Sequence, residues 1–194
     1  MAKALNVSPS RTMMIMNVVN IANLFADRIP PATVCLGNTG SLANTMFTAR
    51  QAVDDEGIAY VSSKLRQDLI KHRTLEQVDA LVAIQKLSLS KVASSLIGGG
   101  NILFLPCSNH HKGRYFEADF SAALGRQGQD GSHIRGRPSF VNDAYYCSGY
   151  PTRNFLRVLG KNANGDWWLA CNTRAGAWSG IQKELLALVE YSEC

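Results

Sequence analysis

The chain has 194 residues, 46% of them hydrophobic and 18% charged, with a formal net charge of +5. That length buries a sizeable core, which excludes a small scaffold held by disulfide or metal staples. The charged fraction lies below the roughly 25% usual in soluble domains, so neutral polar groups cover the surface and contact with a second copy or a protein partner meets little repulsion.

The basic excess is mildly concentrated in the middle. Residues 1–106 hold 10 Lys/Arg against 7 Asp/Glu, residues 107–161 hold 8 against 4, and residues 162–194 hold 2 against 4. A clustered basic face of the kind that grips a phosphate backbone is not evident, and nucleic acid is kept only as an alternative partner. Cysteines stand at 35, 107, 147, 171 and 194; an odd count without paired short spacings points to free thiols and a reducing compartment. The expected location is therefore the cytoplasm or an assembled particle, with a Cys147–Cys171 disulfide as the less favoured reading.

Thr12 to Ala26 is apolar and uncharged. It is too short to span a bilayer and is broken by Asn17, Asn20 and Asn23, so no membrane span is expected. Ser8-Pro9 suits a helix start, and a helix running to about Asp27 is predicted, stopped by Pro30-Pro31. Leu36 to Gly40 (LGNTG) reads as a turn. A second helix is predicted from Ser41 to Gly57 on the spacing of Leu42, Met46, Ala49 and Val53, and a third follows with Ile58, Val61, Leu65 and Leu69 on one face.

Thr74 and Gln77 form a capping box that opens a fourth helix, extending to about Ile97 and ended by Gly98-Gly99-Gly100. Beyond the glycines the period changes. Asn101–Cys107 (NILFLPC) is predicted as a buried strand and Arg114–Phe120 as its neighbour. Residues 121–139 read as a long exposed loop. Phe155–Leu159 and Trp167–Cys171, separated by a turn containing Asn164-Gly165, read as a β-hairpin. Ser179 and Gln182 suggest a capping box for a last helix.

The fold class expected is α+β, a helical N-terminal half packed on a small, mostly antiparallel β-sheet in the C-terminal half and closed by a C-terminal helix. One domain, 1–194, is expected, with a helical subdomain over about 1–97 and a sheet-containing one over about 101–194.

Chemistry concentrates at Cys107-Ser108-Asn109-His110-His111, just after a predicted strand. A thiol nucleophile needs a histidine to take its proton and a third group to orient that histidine. Cys107, His110, His133 and Asp143 are the candidate catalytic residues of a cysteine-dependent hydrolase or transferase. The Cys107–His110 gap also suits zinc, with Cys147 and Cys171 as distant partners, but a second close pair is lacking and no metal or cofactor is expected. Arg126, Arg135 and Arg137 in the glycine-rich loop are candidate binding residues for nucleic acid or an acidic partner. Trp167 and Trp168 are a second candidate binding pair: adjacent residues of a strand face opposite sides, so one fills the core and the other is left to meet a helix, a ligand or a subunit. The main functional expectation is a non-enzymatic structural or assembly protein such as a virion subunit, with the cysteine enzyme and the nucleic-acid binder as alternatives.

Overall fold

The structure is a computed structural model that describes residues 1–29, 39–92, 99–123, 136–142 and 153–192. It is a mixed α+β chain with helices in its N-terminal half, mostly antiparallel strand pairing and a C-terminal helix, as the composition and periodicity indicate. Two compact units are distinguished: Met1–Pro106 with Thr173–Cys194, and Cys107–Asn172.

In the first unit, strand β1 (Thr12–Asn20) runs antiparallel to β2 (Gly40–Thr48), Thr12 opposite Thr48 and Asn20 opposite Gly40. Both segments were expected to be helical, and the strands correct that expectation. Met13 and Met14 are neighbours and each is 3% exposed, so both faces of β1 are covered. A strand buried on both faces shows a continuous apolar run, which periodicity does not separate from a buried helix. Along β2 the alternation is visible: Ser41, Ala43, Thr45 and Phe47 are buried while Met46 is exposed.

Thr48 ends β2 and caps α1 (Ala49–Val53) through a reciprocal capping box with Gln51. Helix α2 (Gly57–His72) follows and packs on β2 and α1. Gly57 thus opens α2 and does not merely close the preceding helix; a Cβ here would lie 2.6 Å from the Ala52 carbonyl oxygen. At the other end of α2, the His72 Nε2 lies 3.1 Å from the Asn44 carbonyl oxygen, which gives a carbonyl of β2 a side-chain partner. Helix α3 (Leu75–Val92) starts where the sequence indicates, the Gln77 N–H donating to Thr74 Oγ1. Residues 93–98, including the predicted end of this helix and Gly98, lie outside the described residues, as does most of the predicted 36–40 turn.

Met13, Phe47, Ala49, Leu103 and Leu105 form the buried cluster of this unit, with Ala2 closing one side. Helix α4 (Trp178–Ser192) belongs to the same unit; its Gly180 approaches the Ala4 carbonyl so closely that a Cβ would sit 3.0 Å from that oxygen. Ser179 lies within α4, so the expected Ser179 cap is displaced by the single 3-10 turn Ala175–Ala177 that leads in. Among the described residues, no helix is long and apolar enough to cross a membrane.

Strand β3 (Leu103–Asn109) belongs to the first unit through Pro106 and to the second from Cys107. The strand order is β2-β1-β3 in the first unit and β3-β4-β5 in the second. There β4 (Phe155–Lys161) pairs in parallel with β3 and antiparallel with β5 (Trp167–Asn172), the predicted hairpin. Arg114–Phe120, expected to be a strand, is instead built from 3-10 turns at His111–Gly113 and Tyr115–Glu117, joined by Arg114 at φ 51°. Glycine at 113 and the left-handed Arg114 interrupt any extended run.

Candidate active site

The site grows from the end of β3. Cys107 stands opposite Leu156 and Ser108 opposite Arg157 on β4. Side chains alternate along a strand, so Ser108 and Arg157 share one face while Cys107 and Leu156 share the other. Cys171 on β5 is also opposite Leu156, which leaves the two thiols separated by a strand. Both are free. Burial raises the Cys107 thiol above its ordinary value. Burial raises Cys171 too, with the Arg157 guanidinium opposing the shift.

His110 continues the strand pairing by one bond, its N–H donating to the Val158 carbonyl at 2.8 Å. Its ring is thereby fixed on the Ser108 side. Ser108 Oγ lies 2.8 Å from His110 Nε2, and the Tyr115 hydroxyl lies 3.4 Å from Nδ1. The pair of 3-10 turns brings Tyr115 back over His110, ring centroids 6.0 Å apart and nearly perpendicular. Gly113 permits this return, since a Cβ there would lie 2.9 Å from the Tyr115 ring.

His110, Gly113 and Tyr115 border a cleft of about 680 Å³. His110, Tyr115, Asn142 and Arg157 supply its polar groups; Phe120, Val141 and Phe155 supply apolar wall. Arg157 is 6% exposed and its guanidinium carbon lies 4.9 Å from the centre of the Phe155 ring. A cleft of this size with few convergent polar groups suits a small molecule. Gly160, at φ 137°, sits in the β4 bulge after Val158 and places Phe116 and His111 against the strand. Bulges next to sites re-aim side chains in this way.

At the rim, the Arg114 guanidinium donates to Glu117 and holds that carboxyl below its usual range, with Arg137 adding to the effect. The Asp119 carboxyl is lowered chiefly by the Ser121 N–H, which donates to it at 2.8 Å.

Of the sequence candidates, Cys107 and His110 are three residues apart but not joined: the His110 nitrogens face Ser108 and Tyr115. His133, Asp143, Arg126 and Arg135 lie outside the described residues, and so does Cys147. Arg137 is exposed. Among the described residues, no group of three His, Cys, Asp or Glu could hold a metal ion. Trp168 packs between Phe116 and Phe140, at 5.5 and 5.4 Å between ring centroids, and Trp167 stands 51% exposed beside His111. Sequence reasoning missed Ser108, Tyr115 and Arg157. The available signal was the two-residue spacing of Ser108 and His110, both polar, at the exit of a strand.

No protein-family model matches the chain. It is 31% identical to the acetyltransferase adrJ of Penicillium roqueforti over 94% of its own length and 38% of that protein. It is 32% identical to the acetyltransferase sphE of Aspergillus fumigatus over 93% of its length and 36% of that protein. A third relative at 29% identity, over 90% of this chain and 36% of its own, is the transcriptional regulator calD of Penicillium decumbens. Among solved structures, F. sporotrichioides TRI101 complexed with coenzyme A and T-2 matches with a TM-score of 0.64 at 15% identity, over 94% of this chain and 38% of TRI101. Vinorine synthase matches with a TM-score of 0.57 at 15% identity, over 96% of this chain and 38% of its own. The structural likeness shows a shared fold. The chain thus spans rather less than two fifths of the curated relatives it matches. The expectation of a non-enzymatic structural protein or virion subunit is overturned by these findings: similarity that extends over nine tenths of the chain leads to acetyltransferases, and of the readings drawn from the sequence the transferase is the one they back.

Proposed function

We propose that this chain takes part in transferring an acyl group, in the simplest case acetyl, from a coenzyme A thioester to a hydroxyl group of a small molecule. The observation that carries the reading is the similarity to acetyltransferases at 31 and 32% identity over nine tenths of the chain. Further relatives are named O-acyltransferase and O-acetyltransferase, which supports oxygen as the acceptor atom. The cleft of the Cys107–Asn172 unit adds a physical argument. Acyl transfer from a thioester is served by a mostly apolar cleft with a few fixed polar groups near the carbonyl, and His110, Tyr115 and Arg157 line the cleft in that manner.

In this reading Cys107 is not the nucleophile. Its thiol is held protonated by burial and points to the other face of β3 from Ser108. The imidazole of His110 instead faces the donor's cleft, with Ser108 at Nε2 and Tyr115 at Nδ1 setting its orientation. Since the relatives are more than twice as long, the groups that complete the reaction are not all assigned to this chain.

The test is calorimetric titration of the purified protein with acetyl coenzyme A, followed by thiol release in the presence of a panel of hydroxylated small molecules. Saturable binding and acceptor-dependent release of coenzyme A are expected. Absence of binding at millimolar donor would overturn the proposal.

A further inference from the structure

The exposed Trp167 is not used by the cleft, and its surroundings are specific. Trp167 and Lys161 are opposite one another across the β4–β5 hairpin, with the Lys161 ammonium 5.1 Å from the centre of the indole. The His111 ring lies 5.0 Å from it, tilted by 57°. His111 is itself anchored, its backbone N–H donating to Asn109 Oδ1 at 3.0 Å. The result is an indole surface, 51% exposed, flanked by an ammonium and an imidazole. Lys112 follows His111 directly, and residues 107–172 carry 8 Lys/Arg against 5 Asp/Glu.

We propose that Trp167, His111 and Lys161 form a platform for the phosphorylated adenosine end of the acyl donor, resting on the acyltransferase reading above. A planar base stacks on an aromatic face without regard to its sequence identity, and nearby cations hold its phosphates. The placement agrees with the cleft. His110 borders the cleft and His111 borders the indole, and the two are consecutive residues of one turn. A donor whose thioester lies beside His110 crosses that turn to set its nucleotide on Trp167. The adjacent tryptophans then serve different ends, Trp168 packing on the buried Phe116 and on Phe140 while Trp167 faces the ligand.

Adenosine 3′,5′-bisphosphate, acetyl coenzyme A and acetyl-pantetheine are the probes. The bisphosphate should quench the tryptophan fluorescence of the wild-type protein, and Trp167→Leu should abolish that quench. The same substitution should weaken acetyl coenzyme A binding roughly tenfold or more while leaving acetyl-pantetheine, which lacks the nucleotide, unchanged. Lys161→Gln, which leaves the indole in place, should weaken the bisphosphate and flatten its salt dependence. Equal affinity of Trp167→Leu and wild type for the bisphosphate overturns the platform, as does a loss shared equally by acetyl coenzyme A and acetyl-pantetheine. Thioester turnover that persists with such a result leaves acyl transfer standing and only the platform lost. Bisphosphate binding at Trp167 without any thioester consumption supports the platform and removes acyl transfer.

Discussion

The contact between Ser108 and His110 defines the candidate site, and its strength is measurable independently of any substrate. At 2.8 Å between Oγ and Nε2 in a half-buried setting, a neutral hydrogen bond contributes about 0.5–1.5 kcal/mol net. Tyr115 at 3.4 Å stands near the outer limit of hydrogen bonding and adds less. Ser108→Ala, His110→Ala and the double variant form a cycle whose coupling energy isolates the pair. Urea denaturation should return a coupling of about 1 kcal/mol, with Tyr115→Phe changing stability by less than about 0.5 kcal/mol. In a titration with acetyl coenzyme A, the double variant should bind hardly more weakly than either single one, because two groups that position each other act as a unit. Stability penalties that add to within about 0.3 kcal/mol would show that the pair is not formed in solution, and the assignment of the site to the exit of β3 would fall.

Three further outcomes are expected. Gly57→Ala drives a Cβ to 2.6 Å from the Ala52 oxygen and 2.7 Å from its carbon, both backbone; the strain should cost about 1–3 kcal/mol and lower Tm by several degrees, and an unchanged Tm would contradict the packing of α1 on α2. Thr48→Ala removes the cap of α1 and should cost about 1 kcal/mol in urea denaturation, with Thr48→Ser recovering most of it. Cys107 should react slowly with iodoacetamide at neutral pH and accelerate only as pH rises past 9.0, the ordinary value above which burial places it. The stability associated with that raised folded-state pKa is present at neutral pH and declines as pH rises through it; fast alkylation at pH 7 would mean an ionised, accessible thiol and would reopen the nucleophile reading.

The parts of the fold legible in the sequence are those with one solvated face. Helix α2 carries Arg66 and Lys71 away from Val61, Leu65 and Leu69, although Lys64 shares the half-buried face with them; α3 is announced by Thr74 and Gln77, and the hairpin by the turn before Trp167. The illegible parts are β1 and the start of β2. Thr12–Asn20 holds no charge, both of its faces are covered near Met13 and Met14, and its asparagines fall at a spacing that suits a helical stripe. Its β-branched Ile15, Val18 and Val19 were the better indicator, since branching at Cβ favours the extended chain. Once Gly40–Thr48 is extended, the missed capping box comes into view: Thr48 and Gln51 stand at cap spacing, but a helix drawn through Ser41 hides a helix start at Thr48.

The site was legible as a place and not as a constellation. Apart from Arg157 on β4, its polar residues at the strand exit cluster in sequence because two 3-10 turns fold the chain back on itself within nine positions, Cys107 to Tyr115. What the spacing does not reveal is which members face one another. Cys107 and His110 look like partners at a gap of three, as they would be on a helix; on a strand the parity decides, and parity gives Ser108 to His110 and leaves Cys107 beside Leu156. The parity also sorts the tryptophans, assigning Trp168 to Phe116 and Trp167 to His111. Once β3 and β5 are known to be strands, both the pairing in the cleft and the exposed indole beside it follow from counting residues by two.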